Sequence, residues 1–454
     1  MAVLGRFESL FQRAADAARE LDYELAVKLY DAAIELNPSN ADAYYKRGNA
    51  LKNIGRLNAA IASYSQAIDR KSDHAYAHCN LGVAQQAIGL TSAALASYDR
   101  AIALDPEDAI SHYNRALLMQ ELMQWQEALR SYDLAIAISP QFADAQYNRA
   151  VTQLFCGNFT QGWRNFEWRW KNAQRLGIGE AREFSQPLWL GEGAIAGKRI
   201  LLHSEGGLGD TIQFYRYAPI LAAMGATVYL EVQAPLRELL TQANGISRLF
   251  IKGDELPAFD LHCPLMSLPR AMGTTLDSIP AARSYLAADF RTVARWRSLL
   301  GRTHRPQVGL IWSGNPNNAI DARRSIVLSE WIPFLPAQCE YFCLQNNVRD
   351  SDMAALSAAS QIRCFRPDEL DFANTAALCE CMDVIISVDT SIAHLGGALG
   401  RPTWILLPLV PDWRWLRDRD DSPWYPTAKL YRQESAGSWS EIFHRIAVDL
   451  RRLG

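Results

Sequence analysis

An apolar run, Val384-Ile385-Ile386-Ser387-Val388, leads directly into Asp389-Thr390-Ser391-Ile392-Ala393-His394. The run reads as a buried parallel strand. Thr390 and Ser391 are good helix N-caps, and a helix N-terminus offers free N–H groups and a positive dipole end to an anion. The segment is thus a candidate phosphate cradle, although an ordinary capped β-to-α turn has the same composition. A second segment, Ser204-Glu205-Gly206-Gly207-Leu208-Gly209-Asp210-Thr211-Ile212, follows the apolar Ile200-Leu201-Leu202. Strand, glycine loop and helix in that order let the backbone at Gly207 and Gly209 approach a ligand closely. The loop lacks the third glycine of the dinucleotide fingerprint and the Gly-Lys-Ser/Thr of a Walker loop.

The elements that must position these loops alternate from residue 198 onward. Strands are expected at 199–203, 227–232, 249–251, 308–312, 341–344, 384–388 and 403–407, separated by helical stretches. Alternation of this kind implies parallel sheets covered by helices on both faces. The first part of the chain is different. Tyr30, Tyr64, Tyr98, Tyr132 and Phe166 recur every 34 residues, as do Ala26, Ala60, Ala94, Ala128 and Gly162, and Ala14, Gly48, Gly82, Ala116 and Ala150. Pro38, Pro106 and Pro140 fall on the same grid, with Ser72 at the missing step, where proline ends a helix. This period resembles the tetratricopeptide repeat, five copies over about residues 6–172, the last one decayed, with Arg169 and Gln174 at its alanine and proline positions.

The expected organisation is therefore an all-α tetratricopeptide solenoid at 1–172, a connector at 173–197, an α/β domain of two Rossmann-like lobes at 198–302 and 303–434, and a C-terminal helix within 435–454. The aromatic segments 163–170 and 187–189 are expected to pack the solenoid onto the next domain, or alternatively to stack a carbohydrate. Asn80, Asn114 and Asn148 share one register of the repeats, with Lys46 at the preceding step. A carboxamide both donates to and accepts from an extended peptide of any sequence, and it can equally bond neighbouring helices. Similar ladders in the nucleocytoplasmic O-linked N-acetylglucosamine transferases hold acceptor polypeptides, so the three asparagines are candidate acceptor-binding residues.

Composition narrows the field. The 454 residues are 49% hydrophobic and 21% charged with a formal net charge of −3, which suits a multi-domain globular chain and gives no footprint of a nucleic-acid binder. No run of about 18 apolar residues and no secretory leader is visible, so the expected compartment is the cytoplasm. The closest cysteine pair, Cys379-x-Cys381, lies in apolar helical surroundings that favour buried thiols over a metal.

Gly-Leu-Gly-Asp-Thr-Ile at 207–212 and Asp-Thr-Ser-Ile-Ala-His-Leu-Gly-Gly-Ala-Leu-Gly-Arg-Pro at 389–402 together resemble the paired signatures of the heptosyltransferase-like glycosyltransferases. The resemblance covers about 198–434. It implies a GT-B fold whose second lobe holds a nucleotide-sugar, and with the repeats the layout is similar to bacterial tetratricopeptide protein O-glycosyltransferases and to flagellin-modifying transferases. On that basis Asp210 is the candidate base, with capping of its own helix as the other role open to it. Asp389, Thr390, Ser391 and His394 would hold the donor diphosphate, although His394 equally suits helix packing. Related enzymes place a basic residue after the strand at 308–312. Arg323 and Arg324 stand there, and Arg324 with Ser325 is favoured, near Ser313. Gln345 is a candidate nucleoside contact, and the 412–415 and 424–425 aromatics either border the cleft or pack. No metal or other cofactor is expected. The expected reaction moves a sugar from a nucleotide donor to a protein hydroxyl held by the repeats. Transfer to lipopolysaccharide or another glycan, and a non-catalytic interaction scaffold, are the alternatives.

Overall fold

The computed structural model describes residues 2–172, 182–301, 303–318, 321–435 and 437–453. Gln174, Gly177 and Gly179 lie outside the described residues, as does much of the expected connector. The chain forms two compact units, Met1–Thr152 and Gln153–Gly454.

In the first unit helices pair as antiparallel hairpins: α1 (Ala2–Arg19) with α2 (Tyr23–Leu36), α3 (Ala41–Asn53) with α4 (Leu57–Arg70), α5 (Ala75–Ala87) with α6 (Thr91–Leu104), and α7 (Ala109–Glu121) with α8 (Trp125–Ile138). Helix α9 (Ala143–Phe155) follows and runs past the unit boundary. Asp22, Asn40 and Asp108 accept backbone N–H bonds at the starts of their helices, the expected use of short polar side chains at N-caps. The periodic tyrosines are fully buried. A Cβ at Gly48 would stand 2.6 Å from Tyr64 Cε1, and one at Gly82 2.7 Å from Tyr98 Cε1, so the missing side chain is what admits each ring. One further register was not read from the sequence. Arg47 meets Asp31 at 2.6 Å, Arg115 meets Asp99 at 2.8 Å and Arg149 meets Asp133 at 3.2 Å, tying successive hairpins with partly exposed ion pairs.

After the end of α9, the second unit continues with α10 (Phe159–Phe166) and a tight 3-10 turn, Glu167–Asn172. Two all-parallel sheets follow. The first has four strands, β1 (Arg199–His203), β2 (Thr227–Val232), β3 (Arg248–Ile251) and β4 (Leu261–Pro264), in the order β3-β2-β1-β4. The second has six: β5 (Gln307–Ile311), β6 (Glu340–Cys343), β7 (Ile362–Arg363), β8 (Val384–Val388), β9 (Thr403–Leu407) and β10 (Ala428–Arg432), in the order β10-β9-β8-β5-β6-β7. Read from β7 this is the doubly wound order 3-2-1-4-5-6, and its direction reverses between β5 and β8. The first sheet reverses in the same way between β1 and β4. Strands β8 and β9 are buried along their whole length, as sheets covered on both faces require. The all-α solenoid followed by an α/β domain agrees with the sequence reading; β4, β7 and β10 are additional strands.

The aromatic segment at 163–170 is core. Trp163 is buried among Phe159, Phe166, Phe214, Trp413 and Trp424, at a ring-centroid distance of 5.1 Å from Trp413. Trp189, Trp415 and Tyr425 are buried as well. The carbohydrate-stacking alternative is thereby corrected for Trp163 and Trp189, whose ring faces are covered by protein.

Candidate functional site

In open α/β sheets a ligand sits beyond the carboxyl ends of the strands where the strand order reverses. The two segments singled out in the sequence occupy those places. The loop 204–207 leaves β1, and Asp389-Thr390-Ser391 leaves β8. They also touch each other: a Cβ at Gly209 would lie 2.7 Å from His394 Cδ2 and 3.4 Å from Ser391 Cα. Gly209 therefore lets the helix Leu208–Phe214 lie against the start of the helix Ser391–Ala398. Gly396 and Gly397 serve the same end on the far side. Side chains there would meet Thr403 Oγ1 at 2.6 Å and Tyr425 Cδ1 at 2.4 Å.

The first loop is held from below. Glu205 is buried and receives Arg169 in a fork, Nε to Oε2 at 2.8 Å and Nη2 to Oε1 at 2.9 Å. Arg169 also donates to Glu167 at 3.0 Å and to Ser267 Oγ at 2.7 Å, and Met266 N–H donates to Glu205 at 3.0 Å. The arginine at the decayed alanine position of the repeat grid is thus the counter-ion of the glycine loop. Gly206 follows with φ +48°, in the left-handed region, and a side chain there would strike the Asp210 carboxylate. Asp210 Oδ2 accepts the Gly207 N–H at 2.6 Å, and its Oδ1 is ion-paired with Arg414. The carboxylate is therefore a cap and an arginine partner at once.

On the other side, Thr390 takes the N-cap position but makes no side-chain capping bond; its Oγ1 lies 3.1 Å from Ser387 Oγ. The Ala393 N–H turns back to the Thr390 carbonyl at 3.0 Å, and among the described residues no backbone acceptor takes the N–H groups of Ser391 and Ile392. Two amides without a backbone acceptor and two half-buried hydroxyls thus stand at a helix start. Arg324 donates to the Asp389 carbonyl and lies 3.5 Å from Asp321, whereas Arg323 is exposed. Ser325 Oγ accepts from Gly314 N–H at 3.1 Å and from Arg349 at 3.0 Å.

Six expected site residues, Ser313, Gln345, His394, Asn80, Asn114 and Asn148, are spoken for by protein. Gln345 accepts the Ser313 N–H at 3.1 Å and donates to Ser313 Oγ at 2.6 Å and to the Asn347 carbonyl at 2.8 Å, which joins the ends of β5 and β6. His394 is buried, with Nδ1 2.8 Å from Tyr425 Oη and its ring stacked on Trp415. Burial first, then Arg414, Arg216 and Arg324, pushes its pKa well below the ordinary value, so it is neutral and packed rather than a cationic donor. The asparagine ladder has a similar local occupation. Asn80 Nδ2 donates to Asn49 Oδ1 at 2.8 Å, Asn114 Nδ2 lies 3.4 Å from Cys79 Sγ, and Asn148 Nδ2 donates to Tyr113 Oη at 2.9 Å. Each amide bonds the preceding repeat.

Arg414 was not foreseen. It is buried, pairs with Asp210, donates to Asp412 at 2.9 Å and to Gln213 Oε1, and so bridges the loops of the two sheets. Arg216 does the same from the opposite direction, donating to the Trp424 carbonyl at 2.8 Å and to Tyr285 Oη at 3.0 Å. A charged residue between two tryptophans was the signal available for Arg414. A cavity of about 840 Å³ lined by Arg297, His304, Glu380 and Arg401 opens at the other end of the second sheet, beside the residues that enter β5, β8 and β9. That is the end at which doubly wound sheets do not bind their ligands.

Asp389 has an acid pKa displaced upward. Burial, and then the neighbouring Asp412, raise it to about 6 against the opposing pull of Arg324. A raised folded-state pKa means that the proton is held more tightly in the fold than in the unfolded chain. Its stabilisation is complete below the unfolded value near 3.8 and is lost as pH rises through about 6. Relative to the parent, Asp389→Asn is therefore expected to gain up to about 3 kcal/mol between about pH 4 and pH 7. Denaturant titrations of both proteins across that range measure it. A difference independent of pH would refute the assignment.

The tetratricopeptide-repeat family profile matches residues 22–55, 48–89 and 91–122, so the N-terminal hairpins are tetratricopeptide repeats, a protein-interaction array. FlbA of Caulobacter vibrioides is 26% identical over 324 residues, covering 66% of this chain and 53% of FlbA, so the chain spans about half the length of that curated relative. Among solved structures, MamA is 23% identical with a TM-score of 0.33, covering 36% of this chain and 96% of MamA. YrrB, described as a TPR protein with an unusual peptide-binding site, is 22% identical with a TM-score of 0.32, covering 37% of this chain and 90% of YrrB. Among the described residues no helix is long and apolar enough to cross a membrane.

Proposed function

We propose that the chain is a cytoplasmic, metal-independent glycosyltransferase of GT-B type that moves a sugar from a nucleotide donor to a serine or threonine hydroxyl of a protein held by the repeats. The observation that carries the reading is the meeting of the two loops: Gly209 lies against Ser391 and His394, at the strand-order reversals of both sheets. The donor diphosphate sits on the N–H groups of Ser391 and Ile392 and the hydroxyls of Thr390 and Ser391, with Arg324 alongside. The acceptor oxygen attacks the anomeric carbon, the bond from that carbon to the diphosphate oxygen breaks, and the acceptor proton passes to Asp210. The diphosphate also offers Arg414 a competing anion, which would release Asp210 Oδ1 for that proton.

A second reading, transfer to a glycan with the repeats used for assembly, is favoured by the engaged amides of Asn80, Asn114 and Asn148. Under the first reading an acceptor peptide meets the asparagine carbonyl oxygens and bonds through its own N–H groups. The test is a thermal-shift screen with UDP, GDP, ADP, CMP and TDP sugars, since a ligand bound only by the fold raises its melting temperature. At least one is expected to stabilise the chain and to lose that effect in Arg324→Ala. No shift with any of them would move the assignment to a non-catalytic scaffold.

A further inference from the structure

The outer edge of the second sheet holds a pair of thiols that the proposed transfer does not use. Strand β7 pairs with β6 in parallel, Tyr341 opposite Ile362 and Phe342 opposite Arg363. One step further along the same register brings Cys343 beside Cys364. Tyr341, Cys343 and Ile362 lie in one core cluster, and Cys364, two residues beyond Ile362, falls on the same side of the sheet by strand alternation, at its exposed end. Neighbouring strands lie about 4.8 Å apart, inside the Cα separation of about 4.4–6.8 Å that a disulfide spans. The two residues differ in access: Cys343 is buried and Cys364 is exposed.

From this placement we propose that Cys343 and Cys364 form a reversible disulfide, a redox clamp that joins β6 to β7. The oxidant is a small-molecule disulfide. The exposed Cys364 thiolate attacks one of its sulfurs, a mixed disulfide forms, and one thiolate leaves. Cys343 then attacks the Cys364 sulfur, its proton passes to the departing thiol, and the protein disulfide closes. In sum, two protein thiols and one small disulfide become one protein disulfide and two small thiols. The division of labour follows from the environment. A hydrogen bond between the two side chains holds the Cys364 thiol below its ordinary pKa, while the same hydrogen bond, with burial, pushes Cys343 up. Cys364 is the thiol that starts the exchange and Cys343 the one that resolves it. Strand β7 is two residues long at the edge of the sheet and followed by irregular backbone, so it can adjust to the bond.

The experiment incubates the full chain with oxidised glutathione and maps its peptides by mass spectrometry without reduction. The expected product is a cross-link between the peptides carrying Cys343 and Cys364, the pair lighter by two hydrogen atoms, reversed by dithiothreitol. In Cys343→Ala the resolving thiol is gone, so Cys364 is expected to accumulate as the stable glutathione adduct. Persistence of that adduct in the parent protein, a cross-link between other cysteines, or no reaction at Cys364 would each overturn the proposal. The parent measurement stands by itself if the variant fails to fold.

Discussion

Arg169→Ala lowers the stability of the α/β unit by about 3–5 kcal/mol, the loss expected when one partner of a buried ion pair is removed. Arg169 and Glu205 have side chains 1% and 2% exposed, so after the substitution the Glu205 carboxylate is left buried with only the Met266 N–H and no cation. The penalty is the stranded charge more than the lost attraction. Arg169→Met combined with Glu205→Gln is therefore expected to recover much of the loss, since it removes the charge while keeping side-chain volume. Urea unfolding followed by tryptophan fluorescence measures both, because Trp163 and Trp413 report on this unit. A loss below about 1 kcal/mol for Arg169→Ala, the range of exposed pairs, would show that the network is not the anchor of the glycine loop.

Asp210→Asn abolishes transfer, by about 10²–10⁴-fold if its role is that of a general base, while the nucleotide-sugar still raises the melting temperature. The amide keeps an oxygen for the Gly207 N–H, so the cap persists, while the proton-accepting charge and the ion pair with Arg414 are lost. Asp210→Ala removes both, and the difference between the two variants in stability, about 1 kcal/mol, isolates the cap. Undiminished turnover in Asp210→Asn, measured with the donor identified by thermal shift, would refute the base. Loss of the nucleotide effect as well would instead make Asp210 a part of the donor site.

The repeats were legible because their information is local. A ring, a small residue and a proline on a fixed period report contacts within one or two hairpins, and the burial of Tyr64 under Gly48 is that contact. The strand ends were legible for a related reason, since an apolar run followed by glycines or by Thr-Ser marks a loop whatever the rest of the chain does. Strand β4 was missed because Leu261-His262-Cys263-Pro264 neither alternates nor runs apolar, and β7 because two residues have no pattern. The arginines were out of reach. Arg169 finds Glu205 36 residues on, and Arg414 finds Asp210 across 204, distances over which no spacing rule operates. The asparagine ladder shows the converse: its period was visible, but the period alone does not say whether the amides face a ligand or the preceding repeat, where Tyr113 and Asn49 take them.

The Arg169–Glu205 pair also bears on how such a chain can be assembled from older pieces. Composition places the seam between repeats and α/β half near residue 198, yet a gene fusion joined there would deliver the glycine loop without its cation. The inheritable cassette has to begin upstream of α10, carrying the second helix of one hairpin as a permanent part of the α/β half. Ancestral recombination could lengthen, shorten or replace the hairpins ahead of it, since the same buried rings recur in them on one 34-residue period. The last hairpin is excluded from that traffic.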